Sequence, residues 1–318
     1  MRVFVAGATG AVGRRLVPQL IKAGHEVVGT TRSESKRQEL WNAGAEPVVV
    51  DALDATAVGE AVAKAAPDVI VHQLTALSGS GNLRNFDRVF AGTNALRNRG
   101  TDNLIAAAGA CGVRRFIAAS YTGWPYARVG GSIKSETDPL DPHPPAQQRE
   151  SLAAIKHLEE ATVSAPLTGV VLRYGMFYGP GAFDEMVSAV RKRMVPVVGD
   201  GGGVWSMLHI DDAASAVVAA LDSGEGIYNI VDDDPAVAAE LIPVLASILG
   251  AKPPRHVPLW LGRLLAGEAV SSMLTQARGA SNAKAKRELR WAPTWPSWRE
   301  GFRFGLSDGL SDGAALRG

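Results

Sequence analysis

The sequence predicts an α/β fold: a doubly wound parallel sheet carrying a smaller, mostly C-terminal substrate lobe. Three observations predict it. Short apolar runs alternate with helix-periodic segments up to residue 174, a glycine-rich turn joins the first run to the first helix, and after Gly175 the alternation gives way to frequent glycine and proline. Strand, helix, strand at roughly 20–30-residue spacing means right-handed crossovers between strands that run the same way.

Val3 to Ala6 is a nearly unbroken apolar run, as in a strand buried on both faces. The opening Met1 to Ala6 leads straight into glycine and is too short for the apolar stretch of a signal peptide. Val12, Leu16, Val17, Leu20 and Ile21 follow at helical spacing, with Pro18 removing one helix hydrogen bond and Gly24 ending the element. Further strands are read at His25 to Thr30, Glu46 to Val50, Asp68 to Gln73, Arg115 to Ala119 and Gly169 to Arg173. Helices between them are marked by Leu40 and Trp41, by an alanine-rich stretch after the third strand, by Thr101 to Ala110 and by Ser151 to Val163. Four prolines between Asp138 and Pro145 demand an irregular loop. A strand at Ile227 to Val231 returns to the sheet, and helices at Ala238 to Leu249 and Leu259 to Ala266 extend the lobe.

The turn Gly7-Ala-Thr9-Gly10-Ala11-Val12-Gly13 carries the first chemistry. The first glycine permits the tight turn, the second lets backbone approach a pyrophosphate, and the third lets helix and strand pack closely. The helix N-terminus behind them presents unpaired N–H groups to phosphate oxygens. In a strand–turn–helix context this is the Rossmann dinucleotide fingerprint, so Gly7, Thr9, Gly10, Ala11, Val12 and Gly13 are expected to hold the cofactor. An acid ending the second strand would bind the ribose 2′-hydroxyl of NAD. This chain reads Gly29-Thr-Thr-Arg32 there, and Arg32 suits the 2′-phosphate of NADP, with Arg14 and Arg15 able to help. The alternative is an Arg32 that is simply solvated, balanced by Glu34. Asp51, after the third strand, either accepts a hydrogen bond from the adenine amino group or caps the next helix.

These elements divide the chain into a dinucleotide-binding core over 1–174 with the strand at 227–231, a substrate lobe over 175–305, and a flexible tail over 306–318 with a repeated Leu-Ser-Asp-Gly. In the 318 residues, 46% apolar and 20% charged content suit a soluble enzyme, and a net charge of +1 offers no basic field for nucleic acid or an anionic membrane. The single cysteine, Cys111, excludes an internal disulfide and points to a cytoplasmic protein. No apolar run approaches a membrane span, and no set of metal ligands converges.

With these landmarks the chain resembles the extended short-chain dehydrogenase/reductase superfamily, which includes nucleotide-sugar epimerases and dehydratases. The likeness runs over about residues 1–300. It includes Val69-Ile-Val-His72, Gly100-Thr-Asp-Asn103-Leu104, Arg115-Phe-Ile-Ala-Ala-Ser120, Arg173-Tyr-Gly-Met-Phe-Tyr178-Gly-Pro-Gly181 and Leu208-His209-Ile-Asp211-Asp212. Toward the C-terminus it continues through Ser281-Asn-Ala-Lys284 and Arg287-Glu-Leu-Arg-Trp291. The resemblance implies cofactor contacts from Ala11, Val12, Asp51, Ala52, Leu74 and Thr75 and a small-molecule substrate; homodimers are common in the family, while the sequence itself does not give the oligomer.

It also implies a hydroxyl residue after the fifth strand and a tyrosine four residues before a lysine. The tyrosine exchanges a proton at the substrate oxygen, while the lysine lowers its pKa and holds the nicotinamide ribose. Here Lys156 is the best match for the lysine, and Leu152 stands where the tyrosine should be. Tyr121 or Thr122 takes the hydroxyl slot. Three readings stay open. Tyr121 or Tyr126 reaches the substrate from the neighbouring loop, or Lys156 or a water moves the proton, or the protein is a non-catalytic NADP-binding sensor or scaffold. The first two make an NADP-dependent oxidoreductase or epimerase-type enzyme acting on a small carbonyl or hydroxyl compound. Lys156 also reads as a solvated helix lysine paired with Glu160.

Among other candidates, Arg173 is read as ordering its loop, Tyr174 and Tyr178 as lining the pocket, and Asp211 and Asp212 as a helix start. His72 is read as a hydrogen-bonded core residue, with Gln73 approaching the cofactor, and Trp260, Trp291, Trp295 and Trp298 as lobe core.

Overall fold

The structure, a computed structural model, describes residues 1–76 and 83–306. The tail expected beyond Leu306 lies outside the described residues.

Seven parallel strands form the central sheet: β1 (Arg2–Ala6), β2 (Glu26–Thr31), β3 (Glu46–Val49), β4 (Val69–His72), β5 (Arg115–Tyr121), β6 (Thr168–Tyr174) and β7 (Gly226–Ile230). Their spatial order is β3-β2-β1-β4-β5-β6-β7. The chain therefore winds outward twice from β1, and the switch point lies between β1 and β4, where Ala6 pairs with His72. A ligand crevice opens outside the carboxyl ends of the strands at such a point. All the expected core strands and the returning strand are present, with small shifts at their ends.

Helices α1 (Ala11–Lys22), α2 (Arg37–Asn42), α3 (Ala55–Ala65), α4 (Phe86–Val89) and α5 (Ala91–Ala95) come first. A π turn over Leu96–Gly100 then leads into α6 (Thr101–Ala110). After them come α7 (Arg149–Ser164), α8 (Asp184–Arg191), α9 (Ile210–Ala220), α10 (Ala238–Ile248) and α11 (Leu259–Gln276). One face of the sheet packs Leu16, Val17 and Leu20 of α1 against Ala213, Ala216 and Val217 of α9. The other packs Val58 and Val62 of α3 with Leu104 and Ala108 of α6. Each buried leucine or valine contributes about 1.5–3 kcal/mol. Helix α1 runs on through Pro18.

A second core gathers Phe183, Trp205, Leu241, Ile242, Trp298 and Phe302, built from short strands and helices after residue 175. Three sequence readings need correction here. Trp291 packs into the sheet core and donates its indole N–H to Ser215 Oγ at 2.9 Å. Trp260 is exposed on α11. The helix expected over Leu259 to Ala266 continues to Gln276, with a break where Gly267 adopts φ +88°. Among the described residues no helix is long and apolar enough to cross a membrane.

Candidate active site

Gly7 ends β1 with φ +94°, and an added Cβ would lie 2.9 Å from the Gln73 carbonyl oxygen. Gly13 faces the turn so closely that a Cβ would lie 2.3 Å from the Gly7 carbonyl oxygen. The turn is thus pressed against the end of β4 on one side and α1 on the other. Gly10 is the N-cap of α1 with no side-chain cap, and no acid occupies the first turn. The earliest helix bond here runs from the Arg14 N–H to the Gly10 carbonyl at 3.0 Å, so the amides of Ala11, Val12 and Gly13 are left to a ligand. A bare, acid-free helix start beside three crowded glycines fits a pyrophosphate.

Arg32 lies exposed past the end of β2 and makes no hydrogen bond or ion pair among the described residues. Glu34, its expected counterweight, pairs with Arg37 at 3.0 Å instead. Arg14 is engaged by Glu39 at 2.6 Å, and Arg15 lies 3.6 Å from Asp211. Asp54, not Asp51, caps α3, accepting from the Ala57 N–H at 3.0 Å. Asp51 uses one carboxylate oxygen for the Leu53 N–H at 3.0 Å and presents the other at the end of β3. Ala52 is buried, its carbonyl accepting from Asn103 Nδ2 at 2.9 Å. Beyond β4, the Leu74 N–H donates to His72 Nδ1 at 3.2 Å, and Thr75 is exposed toward the crevice end of the sheet. His72 is buried, with Nε2 3.1 Å from Thr101 Oγ1, and burial pulls its pKa down to about 4. Gln73 turns its amide to the Tyr174 hydroxyl at 3.1 Å.

Tyr121 is the last residue of β5 and Thr122 follows it. They line a narrow pocket with Trp124, Met176, Trp205 and Met273. Burial pushes the Tyr121 phenol up to about 12 against an opposing pull from Arg97. Thr122 is 2% exposed, and its hydroxyl has no hydrogen-bond partner among the described residues. Against this end of β5 stands α7. Glu159 of α7 accepts from Ser120 Oγ of β5 at 2.6 Å and from Arg173 of β6 at 2.8 and 2.6 Å, which fixes the helix face that meets the sheet. Ser151, Ile155 and Glu159 lie along that face at i, i+4, i+8 and are all buried. Leu152 and Ile155 form the cluster on which Tyr121 packs, with Phe86 and Trp124.

The expected meeting of Lys156 with Tyr121 and Thr122 is therefore not made. Lys156 is one position, about 100° of helix rotation, beyond Ile155. It lines a separate cavity of about 430 Å³ with Asp141, His143, Arg149 and Leu152. Its expected ion pair with Glu160 is absent among the described residues. Tyr126 is also committed elsewhere: its hydroxyl donates to Asn229 Oδ1 at 2.8 Å and accepts from Arg173 Nη1 at 3.0 Å. Tyr174 and Tyr178 are core residues rather than pocket walls. His209 caps α9, while the buried Asp212 accepts the Thr294 and Trp295 amides at 2.8 and 3.0 Å. Sequence reasoning missed Arg97, in the π turn, whose charge acts on both Tyr121 and Glu159. Little in the sequence singles it out, since Asn94, Asn98, Arg99, Asp102 and Asn103 surround it in the same stretch.

Known proteins resemble this chain in sequence and fold. A profile of the NAD dependent epimerase/dehydratase family matches residues 3–231. The 3-diazoavenalumate denitrifying reductase of a Streptomyces species is 42% identical over 310 residues, covering 95% of this chain and 99% of that protein. A Stigmatella aurantiaca ketoreductase of a farnesyl dihydroquinoline oxide is 26% identical, covering 92% of each chain. Among solved structures, the Thermus thermophilus UDP-glucose 4-epimerase with NAD superposes with TM-score 0.72 at 26% identity, covering 96% of this chain and 98% of that one. The human epimerase family protein SDR39U1 with NADPH has TM-score 0.73 at 19% identity, covering 98% and 100%, and shares the fold. The protein is an enzyme of the NAD(P)-dependent oxidoreductase and epimerase kind, with a nicotinamide dinucleotide as cofactor. The chain belongs to the NAD dependent epimerase/dehydratase family, within the extended short-chain dehydrogenase/reductase superfamily.

Proposed function

We propose that the enzyme is an NADP-dependent reductase that replaces the diazo group of a small aromatic compound with hydrogen. One observation carries the reading: the α7 face turned to Tyr121 offers Leu152 and Ile155, neither of which has a proton to exchange. We read the face fixed by Glu159 as the one that would carry the family's tyrosine and lysine, which moves those positions from Leu152 and Lys156 to Ser151 and Ile155. Ser151 is already bound to Asp87 at 2.6 Å and Asn94 at 3.1 Å.

Reduction of a carbonyl builds charge on oxygen and needs an acid there. Replacement of a diazonium nitrogen does not. The added hydride brings the two electrons of the new C–H bond, the C–N pair departs with dinitrogen, and no proton moves. When bound, the reduced nicotinamide supplies that hydride. The chain's own residues bind and orient. Trp124, Trp205, Met176 and Met273 give the pocket an aromatic and thioether lining; at about 20 Å³ it holds little more than a water as it stands, so a flat ring enters by parting these side chains, and the unpartnered Thr122 hydroxyl offers it one hydrogen bond. The full-length likeness to a denitrifying reductase supports the same chemistry. NADP over NAD rests on the unpaired Arg32 and on the absence of an acid among Gly29, Thr30 and Thr31.

The test is single-turnover reduction of diazotised 3-amino-4-hydroxybenzoate with 4-deuterated NADPH. Dinitrogen release with deuterium at the ring carbon is expected. Turnover of aromatic ketones with no reaction of the diazonium overturns the reading in favour of carbonyl reduction.

A further inference from the structure

Arg97 is a charged side chain for which the described residues supply no hydrogen-bond or ion-pair partner. It sits in the π turn between α5 and α6, a helix irregularity found often at functional sites. The turn packs on α7, and Thr101, the residue directly after it, holds its Oγ1 3.1 Å from Nε2 of His72, the last residue of β4, which places the turn at the carboxyl end of the sheet; the Arg97 charge acts there on Tyr121, Glu159 and His72. Its one acidic neighbour is already occupied. Glu159 takes two hydrogen bonds from Arg173 and one from Ser120, and makes none to Arg97. Arg97 has no hydrogen bond or ion pair among the described residues, although protein surrounds it closely enough for desolvation to lower its pKa to about 10. A guanidinium stripped of water without a counter-ion is costly. The charge stays on at neutral pH, and the residue is half-buried, not sealed in the core.

We infer that Arg97 is the anion-binding group of the substrate site, taking a carboxylate or phenolate oxygen of the aromatic substrate beside Tyr121. The inference rests on the reading that the crevice takes a small aromatic molecule next to a nicotinamide cofactor. The planar fork of an arginine suits a carboxylate by two parallel hydrogen bonds and a phenolate by one. The two sources share the chemistry of an oxyanion on an aryl frame. With Ile155 in place of a lysine, Arg97 is also the cation whose field reaches the Tyr121 phenol.

Calorimetric titration of the NADP⁺-saturated enzyme tests this with three probes: 4-methoxybenzoate, 4-nitrophenolate at pH 8.5 and methyl 4-methoxybenzoate. Wild type is expected to bind at least one anion about tenfold or more tightly than the neutral ester. Arg97→Met should remove that preference and leave the ester unchanged, Arg97→Lys should restore part of it, and the anion most affected identifies the source. NADP⁺ affinity, measured separately, should be the same in all three proteins. Equal binding of anions and ester by the wild type, or an Arg97→Met enzyme that keeps the preference, overturns the inference. So does a loss confined to NADP⁺, which would assign Arg97 to the cofactor. Failure of the diazonium reaction alongside an intact, Arg97-dependent anion preference would sink only the proposed chemistry. Thermal melts of both variants matching wild type exclude misfolding as the cause.

Discussion

Glu159 holds Arg173 by two parallel hydrogen bonds, Oε1 to Nε at 2.8 Å and Oε2 to Nη2 at 2.6 Å, with both side chains almost fully buried. Burial alone would lower the Arg173 pKa, but the bonds and charge of Glu159 outweigh it and the net shift is upward. The pair pins α7 to β6 and orients the helix face on which the site is built.

Removing one member leaves the other charged and unpaired in the interior. Glu159→Ala should cost about 3–5 kcal/mol, read as a lower urea midpoint with unchanged slope. The double variant Glu159→Leu, Arg173→Met should regain a large part of that loss. A single variant as stable as wild type would mean that the pair does not carry α7.

His72 predicts how stability varies with pH. Burial lowers its pKa from 6.5 to about 4, and Nδ1 already accepts the Leu74 N–H, so the folded ring is neutral with its proton on Nε2. Below pH 6.5 the unfolded chain binds a proton that the folded chain refuses until about pH 4. The stabilisation is full above 6.5 and is lost as pH falls through that window, on the order of 3 kcal/mol in all. His72→Asn keeps a donor and an acceptor but does not titrate. Its urea midpoints should fall less steeply than wild type between pH 6.5 and 4, and parallel curves would refute the assignment.

Arg32 should set cofactor choice. Arg32→Ala is expected to weaken NADP⁺ binding about tenfold or more while leaving NAD⁺ within about twofold, because the interaction it loses is with the 2′-phosphate alone. Gly10→Val should weaken both cofactors equally, since its side chain would stand where the pyrophosphate approaches the α1 amides. Displacement of fluorescent NADPH or NADH by the oxidised cofactors reads both. Equal losses of NADP⁺ and NAD⁺ in Arg32→Ala would place that arginine elsewhere.

The sheet was legible because each signal was local. The buried run at Val3 to Ala6, the glycines at 7, 10 and 13, and the alternating helices each need only their own neighbourhood to be read. The reaction centre was not, because it depends on which face of α7 meets the sheet. Leu152, Ile155, Leu158, Glu159 and Thr162 give the inward stripe, yet Glu159 and Glu160 are indistinguishable until Ser120 and Arg173 select one. A choice of one residue rotates the helix by about 100° and exchanges Ile155 for Lys156. Arg97 escaped for a related reason: a π turn shifts the helical register, and spacing alone assigns it the wrong side.

That one-residue offset leads to the last prediction. If the proton donor and its lysine were Tyr121 and Lys156, both Tyr121→Phe and Lys156→Ala would cut kcat/KM sharply. The geometry separates them: Lys156 lines the cavity bounded by Asp141 and His143, while Tyr121 lines the pocket with Thr122 and Trp124. Lys156→Ala should therefore keep kcat/KM for the diazonium probe within about twofold of wild type. Tyr121→Phe removes a hydroxyl but keeps the ring, and with a phenol pKa of about 12 its alkaline limb should be absent up to about pH 10 in wild type. A diazo reduction that moves no proton should then slow mainly through KM in Tyr121→Phe. A carbonyl reduction would lose kcat in the same variant and recover none of it through KM. A loss of about a hundredfold in Lys156→Ala, measured on the same probe, would return the lysine to the reaction centre and overturn the assignment of Ile155 to that position.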